Sequence, residues 1–155
     1  MGSAQEESSY AKQKAKLHFA MTMMTHIRQA RREIRTAGAR DSDSAVARWL
    51  TDYNVRHPES PIKTARGKTK WTAQQVNDVC TPEPTARAMS DYLQKAADDA
   101  AKGYEHVSRL AGIVPDTADI ERLRNKHRLG QDEMLEVGTK LGRILRLEER
   151  PDDLP

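Results

Sequence analysis

Residues Ile62–Cys80 read IKTARGKTKWTAQQVNDVC, and this stretch decides how the rest of the chain is parsed. Its first nine residues set Lys63, Arg66, Lys68 and Lys70 around Gly67 with no apolar periodicity, which reads as a basic loop or short hairpin. Thr72 is followed three residues on by Gln75, the spacing at which a hydroxyl and an amide satisfy each other's backbone N–H groups at a helix start. Val76 and Val79, with Cys80, then recur at helical spacing, so a short helix begins after Thr72 and turns these side chains to a core. Pro82 and Pro84 end it. Upstream, Val46, Trp49 and Leu50 make an i, i+3, i+4 stripe behind Asp43 or Ser44, either of which can cap a helix expected to end near Asn54. Two short helices joined by a basic loop, His57–Lys70, predict a helix-turn-helix unit in an all-α fold.

Further out the pattern stays helical. Met1–Ser9 reads as a flexible tail. From Tyr10 to Thr36, Leu17, Met21, Met24, Ile27 and Ile34 fall near one face, with Arg28, Arg31, Arg32 and Arg35 mostly elsewhere and Gly38 as the stop. Beyond Pro84, Ala86, Met89, Leu93, Ala96, Ala97 and Ala100 form a stripe that continues through Tyr104, Val107 and Leu110, with Gly103 weakening it. Pro115 breaks the pattern, and Asp116 or Thr117 opens a helix bearing Ile120 and Leu123. Gly130 is expected to separate it from a last helix, where Met134, Gly138, Leu141 and Leu145 recur at coiled-coil spacing. Gly138 and Gly142 permit a close helix approach, within the chain or to a second copy. Pro151 ends the helix, and Asp152–Pro155 should fray. The expected division is a tail over 1–9, a helix-turn-helix unit over 10–81, a C-terminal helical hairpin or bundle over 82–150, and a frayed end over 151–155.

The 155 residues suffice for one compact domain or two small helical subdomains on a shared core. Aromatics are 5% of the chain, too few for a large β-sandwich. The single cysteine, Cys80, excludes an internal disulfide framework and a cysteine-cluster zinc site, and suits a reducing cytoplasm. No apolar run approaches the length of a membrane span, and Met1–Tyr10 lacks a signal peptide's apolar stretch, so no membrane association is expected. The net charge of +3 conceals an asymmetry. Residues 1–80 hold 14 Lys or Arg against 8 Asp or Glu, and residues 81–155 hold 12 against 15. A basic first half suits a polyanion, although ordinary helix-surface charge has the same composition.

Ile34–Arg40, Ala45–Ala47 with Leu50, Ile62–Gly67 and Trp71–Val76 together resemble the recombinase domain that follows the catalytic domain of large serine recombinases. That domain carries an Ile-x-Thr-Ala/Pro-Arg-Gly loop ahead of Trp-Thr/Ser-Ala-x-x-Val. The likeness covers roughly Ile27 to Cys80, a third of the chain. It departs where the family has a short Leu-Asn-x-x-Gly-Ile link, since Thr51–Pro61 is longer here, and where Lys68-Thr69-Lys70 stands for a shorter link. The family's catalytic domain has no counterpart in these residues. The resemblance implies a non-enzymatic, sequence-specific DNA-binding protein, a regulator or accessory factor of a mobile element, phage or plasmid.

The candidate DNA-binding residues follow from chemistry as well. Lys63, Arg66, Lys68 and Lys70 can hold phosphates beside the amides of a helix start opened by Thr72. Gln74, Gln75 and Asn77 can pair with base edges, Gln75 doubling as the capping partner. Arg28, Arg31, Arg32 and Arg35 either extend this footprint or form a solvated helix face. Trp49 and Trp71 are read as packing the small core. The five histidines, His18, His26, His57, His106 and His127, show no paired ligand spacing, so neither metal nor cofactor is expected. The C-terminal helices are the candidate for a homodimer contact, which would supply two half-sites on duplex DNA. The rival reading is a protein-interaction module, such as a phage-encoded inhibitor, acting through those same helices.

Overall fold

The computed structural model describes residues 4–126 and 128–153, and these fold as an all-α protein. The helices are α1 (Ala4–Thr22), α2 (Met24–Thr36), α3 (Asp43–Arg56), α4 (Ala73–Cys80), α5 (Glu83–Leu110), α6 (Thr117–Asn125) and α7 (Arg128–Leu145), followed by a 3-10 turn at Pro151–Asp153. The expected tail is corrected: residues 4–9 continue α1, and Tyr10 stacks on Tyr92 of α5 with ring centroids 4.7 Å apart. Residues 1–3, His127 and 154–155 lie outside the described residues. The long first helix is divided at Met23, where Met23 N–H bonds Phe19 O and Ile27 N–H bonds Met23 O. Gly38 ends α2 as expected. It takes φ +77, and its N–H and that of Ala39 bond Arg35 O and Ile34 O, the paired closure that a left-handed glycine permits.

The caps lie close to their expected places. Ser42, one residue before the expected pair, accepts from Ala45 N–H at 3.1 Å, and Asp116 accepts from Ala118 N–H at 2.9 Å. Thr72 and Gln75 form the reciprocal capping box. Helix α3 runs to Arg56, two residues past expectation, along a ladder of stacked rings at Trp49, Tyr53 and His57. Gly130 does not separate two helices: α7 starts at Arg128 and carries Gly130 in its first turn.

One hydrophobic cluster joins residues from both sides of position 82. Leu17, Ile27, Ile34, Val46, Leu50, Trp71, Val76 and Val79 pack with Met89, Leu141 and Leu145. Helix α7 lies antiparallel on α5, and its seam is spent there: Gly138 faces Ala86, and Gly142 faces Glu83. The close approach allowed by these glycines is therefore a contact within the chain. An alanine in a helix interior ordinarily gains about 1 kcal/mol over glycine. At position 138 the new methyl would overlap the Ala86 Cβ, so Gly138→Ala should instead lose about 1–3 kcal/mol by overpacking. Ala86→Gly in the same chain should restore much of that in urea denaturation. A Gly138→Ala protein more stable than the parent would show that α5 and α7 are not this close.

The C-terminus of α7 has an unusual neighbour. Arg28 Nη1 donates to Ile144 O at 2.8 Å and Glu149 O at 2.9 Å, Arg31 Nε donates to Leu145 O at 2.8 Å, and Arg35 Nη2 reaches Arg146 O at 3.4 Å. Three arginines on one face of α2 thus donate to carbonyls at and just beyond the end of α7, where the helix dipole favours cations; Ile144 O accepts from Leu147 N–H as well. Leu147, between these acceptors in sequence, is held at φ +61, a conformation that costs a non-glycine residue roughly 1–2 kcal/mol. Arg28 and Arg31 are buried, and burial holds the Arg28 guanidinium below its ordinary range, with Arg32 acting in the same direction. Arg28 and Arg31 are therefore not part of a solvated basic face, whereas Arg32 and Arg35 remain exposed.

Candidate nucleic-acid interface

Helices α3 and α4 pack against one another but are joined by residues 57–72, longer than a tight turn. The loop is held from beneath. Asn54, buried on α3, donates its amide to Ile62 O at 2.8 Å and Thr69 O at 2.7 Å, and accepts from Ile62 N–H at 2.6 Å. Trp71 donates its indole N–H to Ile62 O at 2.9 Å and its backbone N–H to Thr51 Oγ1 at 3.0 Å. Both tryptophan assignments agree with this packing: Trp71 is buried, and Trp49 is half-buried with its indole N–H on Glu33.

Within the loop, Thr64 closes a small hairpin turn. Gly67 N–H bonds Thr64 O at 2.9 Å, Thr64 N–H bonds Lys68 O at 2.8 Å, and Lys68 N–H bonds Thr64 Oγ1 at 3.0 Å. Gly67 takes φ +76, the left-handed position that ends a three-residue hairpin loop, which explains the glycine in Thr-Ala-Arg-Gly. Arg66 sits at the tip.

Lys63, Arg66, Lys68 and Lys70 are all exposed, and none forms an ion pair among the described residues. Elsewhere some cations are paired, Arg31 and Arg35 with Asp41, Arg143 with Glu149 and Arg146 with Glu83, while others, such as Arg32, Arg40 and Arg48, are exposed and also without an ion pair among the described residues. Arg28 and Arg31, being buried, do not extend the exposed basic surface of the loop.

The polar groups of α4 are partly engaged. Thr72 Oγ1 accepts from Gln75 N–H at 3.3 Å, and Gln75 Oε1 accepts from Thr72 N–H at 2.9 Å. Gln74 is exposed and donates to Asp78 Oδ1 at 2.8 Å, and Asn77 is exposed and accepts from Thr81 Oγ1 at 3.4 Å. The structure adds two cations that sequence reasoning missed. Lys16 of α1 lines a groove with Arg66, and Arg48 of α3 lines a smaller hollow with Lys70. No spacing signal marks either, because each is one exposed cation on an amphipathic helix.

A second surface lies far along the chain. Val107, Leu110, Ile113 and Val114, at the end of α5 and in the turn after it, are exposed. The α5 stripe does not run through Val107 and Leu110 as expected; at that end its buried positions are Ala101 and Ser108. No group of three or more His, Cys, Asp or Glu among the described residues is placed to hold a metal ion, and no helix there is long and apolar enough to cross a membrane. No family model, curated protein or solved structure matches the chain.

Proposed function

We propose that this chain binds double-stranded DNA through the Lys63–Lys70 turn and the start of α4, as a sequence-specific regulator or accessory factor of a mobile element, phage or plasmid. The observation that carries the reading is the contrast in how cations are used. Arg28 and Arg31 of α2 are folded inward onto carbonyls, whereas four exposed cations without ion pairs lie within eight residues of one another on a loop fixed by Asn54, Thr64 and Trp71. A fixed array of unpaired cations carries little ordering cost on binding a phosphate backbone, and its counterion release gives salt-dependent affinity. The first-turn amides of α4 that Thr72 does not cap lie beside it for a further phosphate oxygen. Sequence preference is assigned to Gln74 and Asn77. Gln75 serves mainly as the cap.

The test is a salt series of duplex binding for the parent and for Arg66→Ala/Lys68→Ala/Lys70→Ala. The log–log slope should become shallower by about 1 for each cation that touches phosphate. Absence of binding at low salt sinks the reading. It would favour a second one, a protein-interaction module that docks through the exposed Val107, Leu110, Ile113 and Val114 at the C-terminal side.

A further inference from the structure

Between α1, the Thr64–Gly67 turn, α4 and the first turn of α5 runs a groove of about 910 Å³. Its apolar lining includes Leu17, Phe19, Trp71 and Val79, and Phe19 lies nearly parallel to Trp71, 7° between ring planes at a centroid separation of 6.4 Å. Trp71 is buried, but Phe19 is only half-buried. Lys16 comes from α1 and Arg66 from the turn; both are exposed, and neither has an ion-pair partner among the described residues. Gln75 and Asn77 contribute amides from α4. The one carboxylate, Asp78, already accepts from Gln74.

An aromatic ring with accessible surface, cations from two elements and nearby amides are the parts of a site for an unpaired nucleotide. Bases stack on aromatic faces, phosphates meet Lys and Arg, and amides pair with base edges. We propose that the groove takes a short single-stranded segment of nucleic acid, its base on Phe19 and its phosphates between Lys16 and Arg66. This rests on the DNA-binding reading above and extends it: the loop holds duplex, and the groove holds bases that leave it.

The experiment compares three fluorescein-labelled probes by anisotropy at one salt concentration: a blunt duplex, the same duplex with a four-nucleotide 3′ thymidine overhang, and oligothymidine alone. The overhang duplex should bind at least tenfold more tightly than the blunt one. Phe19→Ala should erase most of that gain, about five- to a hundredfold for a lost stack, while leaving blunt-duplex binding unchanged. Lys16→Glu, at an exposed position, should erase it as well and tests the idea even if Phe19→Ala fails to fold. Equal binding of blunt and overhang duplex overturns the groove proposal and leaves the duplex reading standing. No binding of any probe overturns both. Loss of the overhang gain to an acidic, phenylalanine-containing peptide that leaves blunt-duplex binding intact would support the groove as the site, whereas such a peptide binding the groove with no overhang gain would assign it to a protein segment and overturn the proposal.

Discussion

Arg31→Ala should lower the unfolding free energy by about 3–5 kcal/mol, the range for removing one partner of a buried ionic cluster. Arg31 is 5% exposed. It spends its donors on Asp41 at 2.7 Å, Asp43 at 3.3 Å, the Leu145 carbonyl at 2.8 Å and Cys80 Sγ at 3.3 Å. Its removal leaves a buried carbonyl without this donor and strips Asp41 of one of its two arginines. Burial pushes the Cys80 thiol up, against the pull of Arg31, so Arg31 faces a neutral sulfur and the thiol adds little to its charge balance. Arg31→Lys should recover only part of the loss, because one ammonium cannot reproduce a planar fork aimed at four groups. Arg32→Ala, one residue on and exposed, should change stability by no more than about 0.5 kcal/mol. Urea midpoints at constant m-value decide it. A loss under 1 kcal/mol for Arg31→Ala would show that α2 does not hold α7 this way.

Asn54→Ala is expected to cost about 2–4 kcal/mol and to weaken duplex binding without removing any charge, since each buried group left unpaired costs about 1–3 kcal/mol. Asn54 makes three hydrogen bonds to the loop backbone, at Ile62 N–H, Ile62 O and Thr69 O. These span Lys63, Arg66 and Lys68. Without them the loop keeps its cations but loses their fixed spacing, and ordering it again upon binding lowers affinity. The salt slope should therefore stay near that of the parent while affinity falls. This separates a positioning residue from a phosphate-contacting one. An Asn54→Ala protein that binds as tightly as the parent would mean that the loop needs no support.

Local signals in the sequence carried much of the fold. The Thr72/Gln75 pair, Gly38, Asp116 and the Val76–Val79–Cys80 face all act through neighbours within four residues, and each lies where its chemistry places it. The misreadings came from long-range partners. Arg28 and Arg31 look like part of a solvated basic face until the end of α7, more than a hundred residues on, supplies the carbonyls they are buried against, whereas Arg32 and Arg35 do stay exposed. Asn54 read only as a helix end, because its three partners lie on a loop with no period of its own. Val107 and Leu110 continue an apolar stripe in sequence, yet at that end of α5 the packing passes to Ala101 and Ser108. Gly130 is a poor helix former that α7 nonetheless tolerates in its first turn. Among the candidate site residues, the four loop cations were legible because nothing apolar competes for them. Lys16, Phe19 and Arg48 were not, since their place beside the loop depends on how α1 and α3 cross it.

The most direct measurement is amide chemical-shift mapping of the labelled protein during titration with a random 16-base-pair duplex at low salt. The account predicts shifts concentrated at Ile62–Gln74, with Lys16 and Arg48 at the margins, and little change at Arg28, Arg31 or Val107–Val114. Shifts confined to Val107–Val114, or none at all at saturating duplex, would contradict it.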